Sequence, residues 1–309
     1  MRNILMASAA IVAFGFAAPA FAQEGSFIPG LDKNTQPTIG ADLQVNAGGV
    51  QIAKTRLDDI NTVGDTVKVS TTAIGNDLSV SNINTGLNVN AFGGELQKND
   101  LEKQVATTKL DDVTVNTGLS TISTTAVGNA VSVSTLGTDS AGSAYAPSDV
   151  AVAGNIGLQK NDIDSQIAKT SVEGGRFGGY GAFGSVNVST TAVGNDISVS
   201  GATTAFNLSG QFNREGEQIV KTSFENSPVA TNGVFSTDAV GNISSVSAFN
   251  NAASLNGYQV QPSAVGFGVQ INHIGAQVAS TSIASSTFGS GLTVSTLAAG
   301  NVANVSVGH

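Results

Sequence analysis

Few residues of this chain are of a type that does chemistry. Asp58-Asp59 and Asp111-Asp112 recur at one place in the first two of five internal units, and Asp162 and Asp164 sit in the third. Neighbouring carboxylates could hold calcium in a Gly-Asp-rich turn, or divide general acid and base work between them. The acids do not recur in the fourth and fifth units, and no Gly-Gly-x-Gly-x-Asp nonapeptide is present. They are expected to be solvated turn acids. Lys54, Lys169 and Lys221 hold one outward position in three units, fit to touch an acidic polysaccharide or to form a solubilising row. The only histidines are His273, at a variable position inside a repeat, and His309. One variable His does not build a Ser-His-Asp arrangement. Without cysteine there is no thiol nucleophile, disulfide or Cys-based zinc site. The expectation is that the chain is no enzyme, with no catalytic residue, metal site or cofactor.

Composition narrows the class further. The 309 residues carry 13 Lys+Arg against 22 Asp+Glu, a net charge of −9, and only 11% are charged. An acidic chain without a basic cluster is a poor partner for nucleic acid. With 40% hydrophobic residues and 37 Gly, it is too apolar to stay wholly unfolded. Residues 1–22 read as a signal peptide: Arg2, an apolar run from Ile4 to Ala18, then Pro19-Ala20-Phe21-Ala22 as a cleavage site. Residues 23–43 form a polar lead. No later stretch approaches the roughly 20 apolar residues that span a bilayer. The expectation is a secreted protein, extracellular or attached to the cell surface, with no membrane span in its mature form.

The elements that must position these residues repeat five times. The pattern Gln-x-Asn-x4-Gln-[Ile/Val]-[Ala/Val]-x-Thr begins at Gln44 (with Asn46 and Gln51), Gln97 (Asn99, Gln104), Gln159 (Asn161, Gln166), Gln211 (Asn213, Gln218) and Gln270 (Asn272, Gln277). A second pattern, apolar-x-Thr-x-Ala-x-Gly-Asn, ends at Asn76, Asn129, Asn195, Asn242 and Asn301. The second Gln precedes the Gly of the second pattern by 24, 24, 28, 23 and 23 residues, whereas that Gly precedes the next such Gln by 29, 38, 24 and 36. Insertions therefore fall in one half of the unit. The repeat domain spans residues 44–309, in units 44–96, 97–158, 159–210, 211–269 and 270–309.

Both patterns read as strands. After Gln51, residues Ala53, Thr55 and Leu57 share one face, while Ile52, Lys54 and Arg56 share the other. Gly75-Asn76 and its counterparts read as a turn, because both residue types tolerate positive φ. A repeated strand-turn-strand step of about 24 residues predicts an all-β solenoid of about ten rungs, two per unit, some 50 Å long at ~4.8 Å per rung. The Gln and Asn positions then either stack into amide ladders along the axis or cap turns. Thr135–Asn155, Glu173–Ser185 and Ala248–Ala264 read as loops, the second carrying Phe177, Tyr180 and Phe183, which either recognise something or merely fill a flexible insertion.

Tandem units with internal Gln and Asn, Gly-Asn segments, a secretion signal and no cysteine resemble the curlin repeats of bacterial curli subunits, with some similarity to repeat proteins that anchor adhesive holdfasts. The match departs from the curlin pattern: curlin Gln residues lie farther apart around a Gly-x-Gly-Asn, whereas Gln97 and Gln104 are seven apart and Gly-Asn falls in the other half of the unit. The resemblance implies export through an outer-membrane pore, a nucleator, templated assembly at the surface, and a role in biofilm matrix and adhesion. Independently of it, the last repeat runs to Val307 with no polar cap after it, and an open solenoid end pairs with another molecule head to tail. A surface-fibre subunit is the leading expectation. A monomeric solenoid adhesin or holdfast anchor, binding polysaccharide or protein through its loops, is the alternative; an enzyme or ice-binding solenoid comes third.

Overall fold

Apolar and polar residues alternate along this chain for stretches far longer than the usual strand of about five or six residues, and the strands are correspondingly long. In the computed structural model the described residues are 38–62, 66–84, 88–116, 118–137, 150–178, 184–201, 204–249, 254–255, 258–259 and 263–308. The chain divides into two units, Met1–Lys33 and Asn34–His309, and every described residue belongs to the second. The expected signal peptide lies outside the described residues. The strands are β1 (Thr38–Asp58), β2 (Asn61–Thr62), β3 (Thr66–Asn84), β4 (Asn88–Asp111), β5 (Thr114–Val115), β6 (Gly118–Gly137), β7 (Val150–Glu173), β8 (Arg176–Phe177), β9 (Gly184–Gly201), β10 (Thr204–Glu225), β11 (Asn232–Phe249), β12 (Ser254–Leu255), β13 (Tyr258–Gln259), β14 (Ser263–Ala284) and β15 (Gly291–Gly308).

All of the long strands pair in parallel, each with its counterpart in the neighbouring unit. One sheet runs β1-β4-β7-β10-β14 and carries the first pattern; the other runs β3-β6-β9-β11-β15 and carries the second. Register follows the repeat residue by residue: Gln44 opposite Gln97, Gln97 opposite Gln159, Gln159 opposite Gln211, Gln211 opposite Gln270. This is an all-β architecture of stacked parallel strands, compatible with a solenoid. The expected ten rungs become five layers, because a strand finds its partner one whole unit away, not half a unit. At ~4.8 Å per layer the stack is about 24 Å high.

Two further expectations change. The Gly-Asn steps do not turn the chain: Gly75 lies inside β3, and among the described glycines only Gly118, Gly174 and Gly178 have positive φ. The chain turns instead at Asp59, Asp112, Gly174, Asn226 and Ser285, one column of left-handed residues with φ between 50° and 66°. This column carries Asp, Gly and Asn, the types that enter that region at least cost. Beyond it a short arc, paired as β2-β5-β8, links the sheets. The polar lead and the insertions are also shorter than expected. Strand β1 begins at Thr38, β6 reaches Gly137, and the third insertion contains the antiparallel pair β12/β13.

The core lies between the sheets. Near the arc it holds Leu110, Val172, Phe224, Ile122, Val188 and Phe235, joined by Phe177, which is 1% exposed. Phe177 is therefore a core residue and no recognition element; Tyr180 and Phe183 lie outside the described residues. A column of small side chains, Ala106, Ala168, Ala126 and Ala192 among them, crosses the middle. A Val/Ala cluster built on Val133, Val199 and Val246 closes the far end.

Candidate assembly interface

A strand of strict period 2 cannot point both Gln44 and Gln51 inward, since their separation is odd. The chain resolves this with one phase change per strand. In the first sheet residue 49 and its counterparts drop out of the ladder, and in the second sheet Gly75 and its counterparts do. Both Gln columns and both Asn columns then face the interior, where the amides of the middle three layers are at most 2% exposed.

The repeated Gln and Asn columns are bonded from layer to layer, whereas the buried Asn155, outside them, leaves its Oδ1 without a partner. In the second Gln column Gln104 donates to Gln51 Oε1 (2.7 Å), Gln166 to Gln104 (2.9 Å), Gln218 to Gln166 (2.8 Å) and Gln277 to Gln218 (2.7 Å). The first column runs likewise from Gln270 through Gln211, Gln159 and Gln97 to Gln44, at 2.7–3.1 Å. The Asn columns donate the opposite way: Asn46 to Asn99, Asn161, Asn213 and Asn272 in succession, each at 2.8 Å. Asn76 likewise leads to Asn129, Asn195, Asn242 and Asn301 at 2.7–2.8 Å. Thus all twenty Gln and Asn positions stack, where sequence left ladder and turn cap open.

The second amide proton of each Gln crosses to the other sheet. Gln51 donates to the Ile74 carbonyl (2.6 Å), Gln104 to Val127 (2.8 Å), Gln166 to Val193 (2.9 Å) and Gln218 to Val240 (3.0 Å), in each case the residue before the phase-changing Gly. The Gly itself is demanded by close approach. A Cβ on Gly75, Gly128, Gly194 or Gly241 would land on the Asn side chain of the next layer: Asn99, Asn161, Asn213 or Asn272. Between the amides and the aromatic cluster, threonine hydroxyls form a zigzag from Thr71 through Thr108, Thr124, Thr170, Thr190, Thr222 and Thr237 to Thr281, every step 2.7–2.8 Å. That alternation shows the two sheets staggered by half a layer, with each strand of the first seated between two strands of the second.

The ends of the stack are unlike its middle. Val80, Val133, Val199 and Val246 are at most 4% exposed, yet Val305 in the same inward column is 50% exposed. Val294 stands likewise above buried Val69, Ile122, Val188 and Phe235. No residue of β1, β14 or β15 whose burial is described is buried. At the β1 end, Gln51 has among the described residues no layer beneath it to receive its remaining amide proton, and Gln44 turns its amide to Asp42 Oδ2 (2.6 Å). At the other end Gln277 Oε1 has no layer above it. The β1 end therefore offers Gln donors and an Asn acceptor, and the β14 end the reverse.

The acid–base candidates are dispersed along the stack, except that Asp162 and Asp164 line one shallow pocket with Arg214, Glu215 and His273. Asp58 and Asp111 pair locally with Arg56 (2.6 Å) and Lys109 (2.7 Å), and Asp59 and Asp112 occupy the left-handed corner. Asp162 lies 3.9 Å from both Lys160 and Arg214. Lys54, Lys169 and Lys221 share one outward, exposed column, and His273 is exposed. Among the described residues no group of three or more His, Asp or Glu could hold a metal. Sequence reasoning missed three carboxyls that burial raises: Glu215 to about 8, against the pull of Asn213 and Asn161; Glu95 to about 7, against Asn155; and Asp196 to about 6. Glu215 occupies an inward column otherwise held by Gly48, Leu101, Ile163 and Ile274, so the break in that column was its one signal.

No family profile, no characterised protein and no solved structure matches the chain.

Proposed function

We propose that this chain is a secreted structural subunit that stacks head to tail into an amyloid-like fibre at a bacterial cell surface, serving adhesion and biofilm matrix. The observation that carries this reading is the inward column from Val80 to Val305: four layers bury it and the fifth leaves it half exposed. A second copy laid on β14 and β15 turns Val305 into core. It also supplies Gln51 and Gln44 of the new β1 as donors to Gln277 and Gln270, continuing both Gln columns across the junction. Such heterologous contact does not close, so it propagates. Export as an unfolded chain through an outer-membrane pore, with a nucleator, belongs to the same reading through the curlin resemblance.

Elongation after dilution from denaturant tests it. Sonicated fibres are expected to abolish the lag, and a stable monomer that ignores seeds overturns the reading. Val305→Lys separates folding from assembly, because its ammonium reaches solvent in the free subunit and is buried in the stack. It should leave the circular dichroism spectrum intact and stop growth.

A further inference from the structure

End-to-end stacking leaves both outer faces of the sheets open, and these faces differ in kind. The outer face of the second sheet carries serine in all five layers at Ser70, Ser123, Ser189, Ser236 and Ser295. The corresponding face of the first sheet carries large apolar side chains: Leu43 is 60% exposed, Leu96 46%, Ile156 56%, Leu208 51%, Phe267 73% and Val269 59%. The same repeat that keeps one face hydroxylic has kept the other greasy in every layer. We propose that this face of the first sheet is an interface with a second copy of the chain, so that two stacks pair side by side, first sheet against first sheet.

Three observations select this occupant. The first is area. From the row of Ile39 to that of Val45 the strip covers about 23 Å along the strands and about 24 Å across five of them, or ~550 Å². Continuing to the column from Ile52 to Val278, 55% and 43% exposed at its ends, brings it to ~1,100 Å². The narrower strip is as large as the largest patch a typical monomer leaves bare, and the wider footprint, which takes in the charged columns of Asp100 and Lys103, passes the ~800 Å² per partner of a stable interface. The second is periodicity. The apolar side chains stand in columns one layer apart, and a copy of the same stack carries matching columns that fit the gaps between them. The third is charge. Between the rows of Ile39 and Val45 the lysines are Lys98 and Lys160, beside Asp100 at 2.9 Å and Asp162 at 3.9 Å, while Lys103 and the column Lys54, Lys169 and Lys221 lie farther along the strands. The strip from the row of Ile39 to that of Val45, whose cations are paired locally, offers little to an anionic lipid or acidic polysaccharide, whereas its apolar side chains suit their own copy. Pairing about a two-fold along the stack axis is isologous and closes at two.

Sedimentation of the full chain carrying Val305→Lys reads the pairing apart from end growth. A species of twice 30.9 kDa at micromolar concentration is expected, and adding Ile156→Lys and Leu208→Lys, both at exposed positions, should return it to one chain. A monomer before those two changes, or a dimer that survives them, overturns the proposal. If Val305→Lys does not fold, the wild-type fibre decides through its mass per length: two chains per five-layer advance are expected, falling to one in the Ile156→Lys/Leu208→Lys variant, and one chain in the wild type overturns it. Side-by-side dimers without fibres would sink the fibre reading and leave this one standing.

Discussion

A buried amide stabilises a fold only when both its oxygen and its nitrogen are met; unmet, each costs roughly 1–3 kcal/mol. Gln166 gives one proton to Gln104 and one to Val193, and receives one from Gln218. Gln166→Ala strands all three partners and is expected to destabilise by at least ~3 kcal/mol, lowering the melting temperature far more than Gln51→Ala in the half-exposed first layer. The raised carboxyls set the pH dependence. Glu215 and Glu95 hold their protons in the folded chain, to about 8 and about 7, while the unfolded chain releases them near 4.5. Their contribution is therefore complete below about pH 4.5 and is lost as pH rises through 7 to 8, at up to ~1.4 kcal/mol per pH unit per group. Denaturant midpoints should fall from pH 5 to pH 9, and Glu215→Gln should flatten that fall. An unchanged slope in the variant refutes the assignment.

That the chain is built of strands in five units, and which residues recur at one position, was legible in the sequence because each depends on identity repeated at that position; strand length and pairing partner were not. What escaped was parity. Gln44 to Gln51 and Ala73 to Asn76 are odd intervals within one strand, which already require a change of phase, and the Gly-Asn step invited a turn instead. Gly128 serves close approach: Gly128→Ala would drive its methyl onto Asn161 and the Gly194 carbonyl and should abolish soluble folded protein. Gly300→Ala meets only Asn272 Nδ2 at 3.2 Å and should be nearly silent by melting temperature. The true corner was written in the column Asp59, Asp112, Gly174, Asn226 and Ser285, whose mixed residue types hide a shared backbone need. Ser285→Gly should stabilise the corner by about 0.5–1 kcal/mol, and Asn226→Val should cost ~1–2 kcal/mol, both read by chemical denaturation.

For the molecule as a whole, stacking one unit per layer makes stability a sum over neighbours. In the unassembled subunit amide exchange should be slowest in β7 and β9, and fastest in the sheet-edge strands β1, β3, β14 and β15, with β1 and β15 the outermost of them. Assembly should slow β1 and β15 to the rate of the middle; protection that is uniform before assembly contradicts the layered account. The layer count was hidden because half-unit and whole-unit pairing both satisfy the repeat, and only the two different strand patterns, each stacking on its own kind, decide between them. The half-layer stagger adds a directional consequence. Strand β1 overhangs one tip and β15 the other, so each tip is a stair with a single tread. A newcomer presented upside down meets overhang with overhang and leaves a slot no backbone can fill. In the proposed fibre growth would then have an arrow: every subunit would face the same way, and a block placed on one tip would halt that tip alone.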